Sequence, residues 1–349
     1  MNARERVLTT LRHGVPDQVP IDFSMTPPFL DMVVEKLDGQ DPWDYFEVDV
    51  RSVEVESTEK ETDFRVYFND LPDNAMIGEW GLAEVPRQYV HYTEYRHPMA
   101  GFDSLQDLEA YPFPDLDADY RYVGLGEKVA ELHDKGWAVK GGVAPQIFET
   151  SWQMRGLEQM MVDMAVDHDF AEALLDRVTE IFVVAARNVA RAGIDVLITG
   201  DDVGNQDRMM MSPAMWRRWL KPRLAKVIAA AKEVNPAIIA FYHSDGFIEP
   251  IIPELIEIGV EVLNPIQPEC MDPAHIRTLY GDTLAQWGTV GTQTTFPFGS
   301  PKEMRANVRE RISTVGPDGL VLAPTHALQP DVPYENLVAF VEAAREYRI

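Results

Sequence analysis

Apolar residues recur along this chain with two periods, and the change from one to the other marks out its elements. Val7, Leu8 and Leu11 form a helical stripe within residues 3–12, which the turn-forming His13-Gly14-Val15-Pro16-Asp17 ends. Val19-Pro20-Ile21-Asp22-Phe23 reads as a short first strand. Pro27 and Pro28 open a helix to about Leu37, and Ser52-Val53-Glu54-Val55-Glu56 alternates as a second strand. Three stretches, 64–68, 75–80 and 82–92, have the alternation of short antiparallel strands. They predict a hairpin excursion over one mouth of the main fold, closed by the proline-punctuated Tyr111-Pro112-Phe113-Pro114.

Beyond residue 120 the pattern is regular. Helices are predicted over 120–135, 156–192 with a break near Asp167-His168-Asp169, 212–234, 250–258, 273–280, 301–315 and 333–347. Ser212-Pro213 supplies an N-cap and a first-turn proline for one of them. Between these helices lie the runs Ala138-Val139-Lys140-Gly141-Gly142, Ile194 to Gly200, Ile238 to His243, Val260 to Asn264, Leu284 to Gly288 and Leu320 to His326. Centred on Ile21, Val53, Val139, Val196, Ile239, Val262, Ala285 and Val321, eight strands alternate with helices, the number that closes a parallel barrel. An open doubly wound sheet is the alternative, but no glycine-rich dinucleotide fingerprint follows any strand. The expected fold is α/β, a (β/α)8 TIM barrel with an N-terminal β-hairpin insertion at about 58–115, the 349 residues forming a single unit.

Composition narrows the classes of function. Hydrophobic residues at 46% and charged residues at 25% are ordinary for a soluble protein, and no apolar run reaches membrane-spanning length. The amphipathic start lacks the apolar core of a signal peptide, so a cytoplasmic protein is expected. Cys270 is the single cysteine, which excludes an internal disulfide and a multi-thiolate zinc site. A net charge of -26 argues against a nucleic-acid partner.

Candidate chemistry follows from barrel geometry, because the carboxyl ends of the strands converge on one mouth. Asp22, Glu56, Gln146, Glu149, Asp201, Asp202, His243, Asp245, Asn264, Gln267 and His326 stand at or after strand ends, and Trp287 ends another strand. His243 and Asp245 are two apart and so point the same way in extended backbone. With His326 they make two imidazoles and a carboxylate, a set suited to zinc or another divalent metal with positions left open for substrate or water. Glu149 is a fourth ligand or a partner that orients an imidazole. Adjacent Asp201 and Asp202 should diverge, with one of them facing the mouth, and Gly200 and Gly204 suggest a backbone approached closely by a ligand.

These segments resemble the uroporphyrinogen decarboxylase superfamily along essentially the whole chain. The resemblance is carried by Arg4-Glu5-Arg6-Val7-Leu8 through Pro16-Asp17-Gln18-Val19-Pro20, Phe148 to Gly156, Gly200-Asp201-Asp202-Val203-Gly204, His243-Ser244-Asp245-Gly246, Asn264-Pro265-Ile266-Gln267 and His326 to Asn336. It implies the barrel fold and one of two activities, heme-pathway decarboxylation or corrinoid-dependent methyl transfer. Decarboxylases of the family hold their substrate's carboxylates with an arginine-rich motif, whereas this chain reads Asp22-Phe23-Ser24-Met25-Thr26-Pro27-Pro28 at the matching region. The methyltransferase branch is therefore the closer resemblance. Its methanol and methylamine members bind zinc through a His-x-Cys pair and a later Cys, and His243, Asp245 and His326 stand at what look like those positions.

Harder ligands leave a more electrophilic metal, suited to polarising an ether or alcohol oxygen. The expectation is an O-demethylating methyltransferase that moves a methyl group from a small O-methyl substrate to the cobalt(I) of a corrinoid carried by a partner protein. In that reading Glu149 and Asp202 are catalytic, Gln146, Asp201, Asn264, Gln267 and Trp287 bind substrate or cofactor, and a homodimer is left open. A metal-dependent decarboxylase or hydrolase of a small acid is the alternative enzyme. A corrinoid-binding or chaperone protein without turnover is the non-enzymatic alternative.

Overall fold

The computed structural model describes residues 1–86, 94–142, 147–166, 168–347 and 349. In chain order its strands are β1 (Val50–Val53), β2 (Met76–Ile77), β3 (Ala83–Val85), β4 (Glu94–Arg96), β5 (Ala138–Gly142), β6 (Val196–Gly200), β7 (Ile239–His243), β8 (Val262–Asn264), β9 (Ala285–Trp287) and β10 (Leu320–Val321). Seven of these form one parallel sheet in the order β1-β5-β6-β7-β8-β9-β10. Register is set by pairs such as Gly142 with Ile198, Ile198 with Phe241, and His243 with Asn264.

The segment around Ile21 closes the ring. Ile21 bridges in parallel to Leu322 just beyond β10. Leu322 N–H donates to the Pro20 carbonyl at 2.9 Å, and Asp49 N–H, at the start of β1, donates to the Ile21 carbonyl at 3.1 Å. The first expected strand is thus reduced to a bridge. Pro20 has no N–H to give to a ladder, and Pro27 and Pro28 already begin the helix Pro27–Lys36, which leaves little chain to pair.

Alternation along the strands sorts the core into an inner and an outer layer. Val50, Ala138, Val196, Ile239, Val262, Ala285 and Val321, one from each strand of the large sheet, pack together inside the barrel. Val139, Leu197, Ala240 and Leu263, each one residue further on, face the helices. Val7 and Leu11 of the first helix, Ala3–Leu11, join the inner cluster and plug the amino ends of the strands. Arg6 locks that plug by bonding Asp17 at 2.8 Å and the buried Asp49 at 2.5 Å. Polar chemistry is left to the opposite mouth.

An antiparallel sheet β2-β3-β4 stands in the expected insertion: β2 and β3 fall within the expected stretches 75–80 and 82–92, β4 lies beyond them, and residues 87–92 of the second stretch lie outside the described residues. Trp80 docks it by stacking on Phe182 of the long helix His168–Arg191, with ring centroids 5.6 Å apart. Tyr95 of β4 meets Trp152 edge-on at 6.5 Å. Phe64–Tyr67, expected as a strand, is a 3-10 turn that Asp63 caps through the Arg65 N–H at 3.0 Å. The segment Ile147–Arg155, to which the apolar pattern assigns no element, is helical; its Thr, Ser and Gln interrupt the period that marks the longer helices. No helix among the described residues is long and apolar enough to cross a membrane.

Candidate active site

His243 is the last residue of β7, and its imidazole is held from below. Asn264, its register partner on β8, gives its amide hydrogens to the Trp287 carbonyl at 2.8 Å. That contact turns the Asn264 Oδ1 toward His243 Nδ1, 2.7 Å away. Since Oδ1 can only accept, Nδ1 carries the hydrogen, and a neutral imidazole then presents the lone pair of Nε2 to the mouth. Asp202 Oδ1 lies 3.7 Å from Nε2 and Asp245 Oδ1 lies 3.9 Å from it.

The three side chains offer donor atoms that all lie within 4.8 Å of one another. Asp202 also accepts the Asp245 N–H at 2.8 Å, which ties the two carboxylates together. Asp245 Oδ1 is buried without a hydrogen-bond partner among the described residues. Burial and the charge of Asp202 raise the Asp245 carboxyl above its usual range, although His243 and His326 pull the other way. A divalent cation fits this group on three counts: an orphaned carboxylate oxygen, a second carboxylate beside it, and an imidazole whose tautomer is fixed by its outer neighbour.

A second carboxylate layer stands beside the first. Asp201 is 3% exposed and accepts the Glu149 N–H at 2.9 Å, so it caps the helix Ile147–Arg155 rather than facing the mouth. Its carboxyl is raised well above normal by burial and by the neighbouring Glu149. Glu149, in the first turn of that helix, has its carboxyl pushed up to about 7, first by burial and then by the charges of Asp202 and Asp245. Gln153 Nε2 donates to Glu149 Oε1 at 3.2 Å and steadies it.

Below His243 lies a cavity of about 240 Å³. Its walls include Ile198, Phe241 and Trp287, and its floor carries the Lys140 ammonium and the Asp22 carboxylate. Lys140 Nζ pairs with Asp22 Oδ2 and stands 5.3 Å over the Trp287 ring. Trp287 Nε1 donates to the same Asp22 oxygen at 3.2 Å.

Of the residues expected at the site, His243 and Asp245 come together, with Asp202 rather than His326 as the third member of the donor group. His326 is exposed, and it lines both the cavity under His243 and a neighbouring one that contains Asp245. Asn264 supports the imidazole, and Gln267 is buried with its Oε1 accepting the Gly246 N–H, so it shapes the turn after β7. Gln146 lies outside the described residues. Gly200 and Gly204 make room for β7 and its turn: a Cβ on Gly200 would come within 2.4 Å of the His243 carbonyl, and one on Gly204 within 2.5 Å of the Asp245 carbonyl. Lys140 was not anticipated, although a lysine two residues after the inward Ala138 is a visible break in an apolar strand.

The fold and mouth define a (β/α)8 barrel with a carboxylate- and imidazole-lined centre at the carboxyl ends of its strands. Residues 125–347, more than half of the chain, match the uroporphyrinogen decarboxylase (URO-D) family, and the chain belongs to it. A methylcobamide:CoM methyltransferase MtaA of Methanosarcina barkeri is 30% identical over 179 residues, 51% of this chain and 50% of that protein. The chain therefore spans about half the length of that relative. A uroporphyrinogen decarboxylase of Christiangramia forsetii is 22% identical over 253 residues, 70% of each chain. Among solved structures, a methyltransferase from Methanosarcina mazei covers 99% of both chains with a TM-score of 0.72 at 20% identity, which shows a shared fold.

Proposed function

We propose that this chain is a corrinoid-dependent methyltransferase that takes a methyl group from a small O-methyl substrate. The observation that carries the reading is the hard donor group Asp202, His243 and Asp245 at the strand-end mouth, whose His243 also lines a cavity walled by Ile198, Phe241 and Trp287. The similarity to the M. barkeri methylcobamide:CoM methyltransferase supports the reaction class. Zinc or a similar divalent ion held by those three side chains would supply Lewis acidity at the mouth.

The chain's own residues do the rest. Asn264 keeps His243 in one tautomer, and Phe241 and Trp287 exclude water from the body of the substrate. Glu149 stands beside Asp202, and in the metal-free site its carboxyl is pushed up to about 7, so that it is partly protonated near neutral pH. In the transfer, the C–O bond breaks with its electron pair left on oxygen, and the oxygen takes the Glu149 proton. The methyl carbon bonds to the cobalt(I) of a corrinoid protein, the co-substrate, through the cobalt's own electron pair, so that cobalt is oxidised to cobalt(III). His326 is exposed and lines a neighbouring cavity together with Asp245, which leaves it open to contact with a corrinoid partner.

The test is anaerobic incubation of the zinc-loaded protein with simple methyl ethers and cob(I)alamin, following methylcobalamin by its absorbance. Formation that depends on both protein and ether supports the proposal. Consumption of a small carboxylic acid with no corrinoid present, and no methylcobalamin from any ether, would replace it with decarboxylation.

A further inference from the structure

The floor of the cavity under His243 holds a buried ion pair that the methyl-transfer chemistry does not use. Lys140 Nζ has three hydrogens, and among the described residues Asp22 is its hydrogen-bond partner. Asp22 Oδ2 receives both Lys140 and Trp287 Nε1, whereas no hydrogen bond reaches Oδ1 from the described residues. Both side chains are largely buried, at 15% and 7% exposure, and both line the cavity. The pair offers a ligand spare ammonium N–H donors and a free carboxylate acceptor side by side, with its two formal charges already cancelled.

We propose that Lys140 and Asp22 form a subsite that selects a hydroxyl group at the end of the substrate remote from the methyl ether. A hydroxyl both accepts and donates, so it answers Lys140 and Asp22 at once. A carboxylate would be attracted by Lys140 but repelled by Asp22, and would leave a net negative charge on the floor of a cavity walled by Ile198, Phe241 and Trp287. A purely apolar end would strand the unused donors and acceptor away from water. The volume, about 240 Å³, lies below that of pockets for drug-sized ligands and limits the substrate to a single ring or a short chain. The register places the parts in order. Lys140 on β5 pairs with Val196 and Val196 with Ile239, so Phe241 stands between the level of Lys140 and His243 at the strand end, and Trp287 lines the same cavity. The substrate class is therefore a small hydroxylated methyl ether. This inference rests on the methyl-transfer reading only for which end of the substrate reacts.

The test measures binding, separately from turnover. Calorimetric titration of the zinc-loaded protein with 4-methoxyphenol, 4-methylanisole and 4-methoxybenzoate compares hydroxyl, methyl and carboxylate at the same position. The phenol is expected to bind about 10- to 100-fold more tightly than the methyl analogue, the range for a hydrogen bond to charged groups. Lys140→Met, checked for unchanged circular dichroism, is expected to bring the two within about threefold. Equal binding of phenol and methyl analogue by the unaltered protein, tighter binding of the carboxylate, or no binding of any probe would overturn the subsite, whatever Lys140→Met does. The same probes offered with cob(I)alamin separate the two proposals. Selective binding without methyl transfer keeps the subsite and removes the reaction, while methyl transfer without selectivity does the reverse.

Discussion

Glu149→Gln isolates the electrostatic state of the mouth, because the substituted side chain keeps its size and keeps Oε1 as the acceptor for Gln153. In the folded protein the Glu149 carboxyl is pushed up to about 7 from an ordinary 4.5 by burial and by Asp202 and Asp245. A raised carboxyl makes ionisation costly to the fold. Below about pH 4.5 both states are protonated and the glutamate costs nothing. As pH rises toward 7 the unfolded chain ionises first and the native state loses stability. A gap of about 2.5 between the two values corresponds to roughly 3 kcal/mol, and solvent reaching the half-buried side chain lowers this to about 2 kcal/mol. The variant is therefore expected to match the natural chain at pH 4.5 and to be more stable by about 2 kcal/mol at pH 8. Urea unfolding followed by circular dichroism across that range, with chelator present, measures the difference. Zinc, by neutralising the carboxylates around Glu149, is expected to shrink the gap at pH 8. A difference that does not change with pH, or a variant less stable at pH 8, would refute this account of the site.

Three further outcomes follow from the same geometry. Protein prepared without chelator is expected to carry about one zinc per chain, lost in His243→Ala and Asp245→Ala but kept in His326→Ala, by elemental analysis of the four proteins. Asn264→Ala frees the imidazole to rotate and to change tautomer, so zinc affinity measured by chelator competition should fall about 10- to 100-fold while the fold persists. Gly200→Ala drives a Cβ to 2.4 Å from the His243 carbonyl, so β6 and β7 must separate. A loss of about 2 kcal/mol or more in stability, together with loss of zinc, is expected from unfolding and metal assays on that variant.

The barrel was legible in the sequence because its strands are short apolar runs at even spacing and its helices carry clear caps. Ser300 is an example, pairing with Glu303 at the start of Pro301–Val315, where the expected and observed helix coincide. The strand-end polar residues were legible for the same reason, since the fold alone says which end faces the mouth. What the sequence did not disclose is how neighbours in space divide their roles. Asp201 and Asp202 are adjacent and chemically identical, yet one caps a helix 52 residues earlier in the chain and the other faces His243. Gly200 and Gly204 looked like ligand contacts and are instead spacers for β7. Lys140 read as an ordinary strand residue, because its partner Asp22 is 118 residues away and only closure of the ring brings them together.

The ligand chemistry of the mouth also bears on which half of the proposed methyl transfer this chain would serve. A site that activates a thiol acceptor needs a soft, thiolate-rich donor set, and the one cysteine here does not supply it. Cys270 lies beyond the donor group, with its Sγ 3.6 Å from Gln267 Oε1, and burial together with the charges of Glu269 and Asp245 raises its thiol above the ordinary value. It stays protonated near neutral pH and is a poor metal ligand in that form. Two carboxylates and one imidazole instead form a hard set that matches an oxygen-bearing substrate. Glu149, whose carboxyl is raised to about 7 by burial and by Asp202 and Asp245, can give a proton to an oxygen leaving group, whereas a thiol nucleophile must lose one. The donor set thus supports the proposed removal of a methyl group from oxygen, a role distinct from that of a coenzyme M methyltransferase despite the shared barrel.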